Sequence, residues 1–249
     1  AGVSGVTACD LAENVQASER AVLLEIDPSH RVPLHVASVA GISGVQFIDR
    51  ESRLTVGYGS PYVTDRIDIS GVPMSLTHHV QSFFQGNRFL LSHLASRVLE
   101  QVPGGQVAEL YAGVGLFAVA LAARGFGDIV AVEGDRSSAR DLETNAAAYG
   151  GAIRGEHASA EDYLARRSTT RPDTLVLDPP RTGLSREAMS GILGLKIPRI
   201  VYLSCDLATV ARDVRRFAEA GYSLEHIESF DLFPNTAHVE TLVVISRMR

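Results

Sequence analysis

From about Asn87 onward, short apolar runs alternate with segments whose apolar residues recur at helical spacing, and no other feature constrains the chain as strongly. "QVAELY", "DIVAVEG", "DTLVLD" and "RIVYLSC" read as buried strands. "NRFLLSHLASRVLEQV", "LFAVALAARG", "RSSARDLETNAAAYG", "REAMSGILGL" and "LATVARDVRRFAEAG" read as helices, and "YSLEHIESFDLF" and "VETLVVISR" close the series. Regular alternation of this kind predicts an α/β fold, a doubly wound, mostly parallel sheet. Such sheets bind ligands beyond the carboxyl ends of their strands, near the point where strand order reverses. The residues that follow the apolar runs are therefore the candidates for chemistry.

The amino-terminal part is written differently. "RAVLLEID", "PLHVASV" and "VQFIDR" are short alternating runs between Gly, Pro, Ser and Asp clusters, and "LTVGYGSPYVTDRIDISGVPMSL" continues the style. Period-two runs with turn chemistry between them predict antiparallel strands. The expected organisation is a small β-rich domain over 1–75 and a larger α/β domain over 76–249, a division that 249 residues can accommodate.

Composition removes several classes of function. Two cysteines, Cys9 and Cys205, cannot build a disulfide framework or a cysteine-ligated cluster, so the expected compartment is the reducing cytoplasm. Eight histidines are scattered without metal-ligand spacing, and no metal is expected. The apolar run "GVGLFAVALAA" is broken by glycines and falls short of the ~18 residues of a membrane span. A net charge of −6 argues against a general nucleic-acid binder, because sequence-independent affinity comes from neutralising phosphates, and leaves room only for a local basic groove. The chain starts at Ala1, as expected of a processed chain or of part of a longer one.

Five places carry candidate chemistry. In "ELYAGVGLF", Gly113 and Gly115 let a ligand approach the backbone at a strand-to-helix turn, or simply satisfy a tight turn. Glu133, ending "VAVE", stands where nucleotide-binding folds place an acid for ribose hydroxyls. The third glycine of the dinucleotide fingerprint is missing, which counts against NAD and leaves room for S-adenosylmethionine, a cofactor without a pyrophosphate. In "LVLDPPRTGL" two prolines of fixed φ make a rigid corner that holds Asp178 and Arg181 at the pocket mouth. Cys205 in "YLSCDLAT" follows an apolar run and precedes a helix start, where a thiolate is stabilised, although buried cysteines are more often inert packing. His238 and Glu240 precede or begin the last strand, on one face by period two, and the carboxylate is a candidate general base beside a nucleophile.

Taken in order, "SFFQGN" (82–87), "ELYAGVGLF", "VEGD", "LDPPRTGL", "YLSCDLAT" and "DLFPNTAHVE" resemble the RNA uracil-5-methyltransferase family over roughly residues 55–249. The resemblance implies a Rossmann-like S-adenosylmethionine-dependent methyltransferase domain behind the small β-rich domain. It implies transfer of a methyl group to C5 of a uridine in an rRNA or tRNA loop, through a covalent adduct between cysteine and uracil C6. Cys205 is then the nucleophile and Glu240 the proton acceptor. Gln85, Tyr111, Gly113, Gly115, Glu133 and Asp178 are the expected cofactor-binding residues, and Phe83, Arg181 and His238 meet the substrate. The chain departs from the family pattern at Ala112 and Leu116, where a cysteine and a polar residue are usual.

Three rival readings stand beside this one. A cytosine-5 RNA methyltransferase resembles a different layout, with a cysteine beside the prolines that Asp178 and Arg181 flank here. A catalytically idle RNA-binding or assembly module would have no need of Cys205 and Glu240. An NAD-linked oxidoreductase would use Gly113, Gly115 and Glu133 and leave the rest without a role.

Overall fold

Val107–Leu110 and Thr174–Leu177 are buried at every position, as central parallel strands covered by helices on both faces must be. The architecture around them comes from a computed structural model, which describes residues 4–30, 38–49, 55–166 and 171–248.

In chain order, β1 (Val6–Glu13), β2 (Arg20–Ile26), β3 (Gly44–Asp49) and β4 (Thr55–Gly59) form a four-stranded sheet in that order, with β2 and β3 parallel and the other pairs antiparallel. The run "PLHVASV" lies mostly outside the described residues. Next come the antiparallel hairpin strands β5 (Tyr62–Ile69) and β6 (Val72–His79). Position 75, the expected end of the small β-rich domain, falls inside β6. Ile67, Ile69, Met74 and Leu76 of the hairpin are buried with the helices that follow, so these two strands pack into the α/β core.

Helix α1 (Leu91–Glu100) leads into β7 (Val107–Leu110), α2 (Leu116–Ala123), β8 (Ile129–Glu133), α3 (Arg136–Ala147), β9 (Ile153–His157) and α4 (Ala160–Ala165). The chain continues through β10 (Thr174–Leu177), α5 (Arg186–Leu195), β11 (Arg199–Ser204), α6 (Leu207–Glu219), β12 (Tyr222–Phe230) and β13 (Glu240–Arg247). The seven strands from β7 onward order as β12-β13-β11-β10-β7-β8-β9. The five from β7 to β11 are mutually parallel, while β12 and β13 run antiparallel at one edge. The order reverses between β7 and β10, which places the expected ligand crevice beyond Leu110 and Leu177.

Strand alternation divides the core in two. Val107, Ala131, Val176 and Val201 face α1, α2, α3 and the hairpin, whereas Ala108, Val132, Leu175 and Ile200 face α4, α5 and α6. Helix α2 is buried on every side from Leu116 to Ala122, so packing holds it; its N-cap, Gly115, has no side chain to offer its free amides. Four other helices begin with caps legible in the sequence. Asp135, Ser159, Ser185 and Asp206 each accept a hydrogen bond from a first-turn amide, at 2.7–3.0 Å.

Gly115 has φ of 94°, and a Cβ there would come within 2.7 Å of Leu142 Cδ1 on α3. Gly115→Ala is therefore expected to destabilise the protein by about 1–3 kcal/mol through overpacking and backbone strain. Urea unfolding checks this; an unchanged midpoint would show that α2 and α3 separate freely.

Candidate active site

Residues that follow the carboxyl ends of β7, β8, β10 and β11 converge on a cavity of about 600 Å³. Phe83, Gln85, Tyr111, Gly113, Glu133, Asp178, Arg181, Cys205 and Glu240 all line it. Gly115 and His238 do not. Gly115 is turned towards Leu142, so its missing side chain serves helix packing and not ligand approach. His238 precedes β13, so strand periodicity does not align it with Glu240. Its ring meets the edge of Phe233, with centroids 6.4 Å apart, and Phe233 is the residue that reaches the cavity.

Gly113 is different from Gly115: with φ of 56°, a Cβ there would meet nothing within 4 Å, so its open side faces free space. Tyr111, directly after β7, also has positive φ, 62°, which is strained for an aromatic residue and characteristic of functional turns. Glu133 ties this turn down. Its Oε2 accepts the Gly113 amide at 2.7 Å and its Oε1 accepts the Asp135 amide at 2.6 Å, leaving further lone pairs towards the cavity.

The segment carrying Phe83 and Gln85 is held by α3. Asn145 bonds both backbone groups of Thr77 on β6, and Asp141 accepts the His79 amide at 2.8 Å and the Ser82 hydroxyl at 2.6 Å. Spaced i, i+4, the two side chains act as a substitute strand edge for β6. On the far side, Asn87 Nδ2 donates to the carbonyl oxygen of Leu232 at 3.2 Å, and Arg88 pairs with Glu13 of β1. The loop is thus pinned from both sides while Phe83 stays 68% exposed at the mouth.

Cys205 and Glu240 meet through strand register. Antiparallel pairing of β11 with β13 ends at Ser204 opposite Thr241, so the next residues on each side are Cys205 and Glu240. Burial pushes the Cys205 thiol up, the Glu240 carboxylate adds to this, and the Arg181 guanidinium opposes both. The helix-terminal position alone suggests a stabilised thiolate; here desolvation and a neighbouring acid outweigh it. Burial, reinforced by Asp178, pushes Glu240 up to about 8, and burial pushes Asp178 up to about 7.

Glu109 is not among the residues expected from the sequence. It is 1% exposed within the fully buried strand β7, and neither side-chain oxygen has a hydrogen-bond partner. Burial pushes it up to about 8, against the pull of the Ala118 and Phe117 amides at the start of α2. A glutamate in a four-residue core strand is the signal that could have found it, since an unpaired buried carboxyl costs about 1–3 kcal/mol or more unless a ligand satisfies it. Five carboxyl groups line the cavity, those of Glu109, Glu133, Asp135, Asp178 and Glu240, against one guanidinium, Arg181. Such a lining suits a cationic ligand. Among the described residues no group of three or more His, Cys, Asp or Glu is arranged to hold a metal ion, and no helix is long and apolar enough to cross a membrane.

The family model for tRNA (Uracil-5-)-methyltransferase matches residues 166–248. An RNA methyltransferase of Streptomyces avermitilis, itself uncharacterized, is 32% identical across 97% of this chain and 56% of its own length. The 23S rRNA (uracil(1939)-C(5))-methyltransferase RlmD of Halomonas elongata is 36% identical over 62% of this chain and 32% of its own. The chain spans about half the length of the relatives it matches. Among solved structures, Pyrococcus abyssi tRNA (uracil-54, C5)-methyltransferase in complex with S-adenosyl-L-homocysteine superimposes with a TM-score of 0.75 and 26% identity, over 94% of this chain and 58% of that one.

The raised carboxyls give stability a direction with pH. The folded protein keeps protons on Glu109 and Glu240 up to about pH 8, whereas the unfolded chain releases them near 4.5. Raising the pH across that window draws the equilibrium towards the unfolded chain. Urea unfolding at pH 5.5 and 8.5 is expected to show lower stability at the higher pH, and a smaller loss in Glu109→Gln. An equal loss in that variant would mean that Glu109 is already ionised in the folded protein.

Proposed function

Because this chain belongs to the RNA uracil-5-methyltransferase family, we propose that it methylates C5 of a uridine in tRNA or large-subunit rRNA, using S-adenosylmethionine, with Cys205 as nucleophile and Glu240 as proton acceptor. The observation that carries this reading is the register that sets Cys205 and Glu240 across from one another at one cavity, beside Arg181 and Asp178.

S-adenosylmethionine, when bound, supplies an electrophilic methyl group on a sulfonium. The residues present fit that cofactor, because its sulfonium and ammonium are both cationic and Glu109 offers a buried carboxyl without a partner. Glu133, next to the open side of Gly113, is placed for ribose hydroxyls, and Gln85 and Asp178 complete the expected set around it. Tyr111, half-buried and with positive φ, lines one wall.

Uracil C5 is too weak a carbon nucleophile to be alkylated unaided. Attack of the Cys205 thiolate on C6 forms an S–C6 bond and moves the electron pair to C5, dividing one hard step into two easier ones. Once C5 carries the methyl group, Glu240 takes the C5 proton, and the electron pair left behind expels the Cys205 thiolate. Arg181, beside the sulfur, favours the thiolate both as attacking and as leaving group. Glu240 must be ionised to accept a proton, and the arrival of a cation in a cavity this acidic favours that form. Phe83, exposed at the mouth, provides a face on which an everted base stacks.

Incubation with S-adenosylmethionine and RNA carrying tritium at uracil C5 is expected to release tritium, and Cys205→Ala to reduce release to background. Undiminished release from that variant would remove Cys205 as the nucleophile. Glu240→Gln is expected to accumulate a denaturation-resistant protein–RNA adduct, because addition and methylation proceed while elimination stalls. Cofactor binding without turnover on any RNA would favour an idle RNA-binding module instead.

A further inference from the structure

One face of α6 grips the loop that follows β10. Thr209, Arg212 and Asp213 are spaced i, i+3, i+4, which places them together on the helix surface. Thr209 Oγ1 donates to the Arg181 carbonyl at 3.0 Å, Arg212 Nη2 donates to the Thr182 carbonyl at 3.0 Å, and the Leu184 amide donates to Asp213 Oδ2 at 3.0 Å. Between these contacts Gly183, with φ of 72°, lies so close that a Cβ would come within 2.6 Å of all three side chains. Asp213 is fully buried and also accepts the Tyr202 hydroxyl at 2.9 Å, while Arg212 and Arg216 balance its charge.

The same helix is capped by Asp206, the residue directly after Cys205, and the same loop carries Arg181, which lines the cavity together with Cys205 and whose charge lowers the thiol against the pull of burial. These bonds hold the loop backbone from Arg181 to Leu184 against α6, which fixes where the Arg181 side chain starts relative to Cys205. We propose that Thr209, Arg212 and Asp213 are positioning residues that seat the 178–184 loop on α6 and thereby hold Arg181 against Cys205. None of the three lines the cavity. The proposal rests on the functional reading above in taking Cys205 as the group that must react, but its test does not need RNA.

The charged and titratable groups that line the cavity with Cys205 are Asp178 and Arg181 from the loop after β10, Glu240 from β13, and Glu109, Tyr111, Glu133 and Asp135, while Asp206 caps α6 directly after it. In a Cys9→Ser background, which removes the other thiol, the rate of Cys205 alkylation by iodoacetamide is measured against pH. Arg181→Met is expected to move the midpoint upward and slow alkylation at pH 8 by about tenfold, the change that one pKa unit brings. Thr209→Val is expected to move it the same way, by about threefold in rate, and Thr209→Ser, which keeps the hydroxyl, to restore the parent profile. Asp213→Asn and Arg212→Met are expected to fall between these; if the buried Asp213 variant does not fold, Thr209→Val decides.

A clamp with a purely structural role would lower the melting temperature of Thr209→Val while leaving its alkylation midpoint at the parent value, and that result overturns the proposal. So does an unchanged profile in Arg181→Met, because no positioning effect could then reach the sulfur. Failure of the unaltered protein to methylate any RNA would overturn the functional reading alone, since the alkylation profiles are read without RNA or cofactor.

Discussion

The parallel pairing of β7 with β10, Leu110 beside Leu177, is the constraint on which the rest of the site depends. Once these two strands lie side by side with helices over both faces, their carboxyl ends open where the order of the parallel strands reverses. The glycine turn, the Asp-Pro-Pro corner and Cys205 emerge there because each follows a strand in the same layer. Glu240 arrives from the opposite direction, since β13 is antiparallel and its first residue lies where β11 ends.

That convergence has an electrostatic consequence. Glu109, Asp178 and Glu240 are all pushed up because each loses water, and Glu109 and Glu240 also feel a neighbouring acid. The site is tuned for a cation, and Arg181 provides the one opposing charge, directed at the sulfur. The Arg181 backbone is gripped from outside the cavity by Thr209. Cofactor charge, acid ionisation and thiol reactivity are therefore parts of one coupled balance.

Several features were legible in the chain because they are local. Asp135, Ser185 and Asp206 cap helices for the reason that short polar side chains reach the second or third amide. The buried strands β7, β8, β10 and β11 announce themselves as apolar runs. β9 and α4 do not, since "IRGEH" and "AEDYLA" carry charge on their exposed sides and are too short for a clear period. The division expected at residue 75 tracks strand content, whereas the β5–β6 hairpin packs where Asn145 and Asp141 hold it, a choice made by residues 68 and 62 positions away.

Sequence alone determined the alternating α/β order, the candidates at strand ends and most of the residues that line one cavity, because strand direction and side-chain period are properties of neighbouring residues. Tertiary structure decided which of them meet. It left His238 and Gly115 out of the lining, brought in Glu109 from the core, and gave Cys205 a buried setting and a carboxylate neighbour that together push its thiol up. It also joined Thr209, Arg212 and Asp213 to the Arg181 loop. Contacts between distant segments depend on register and packing across the whole sheet, and no local pattern encodes them.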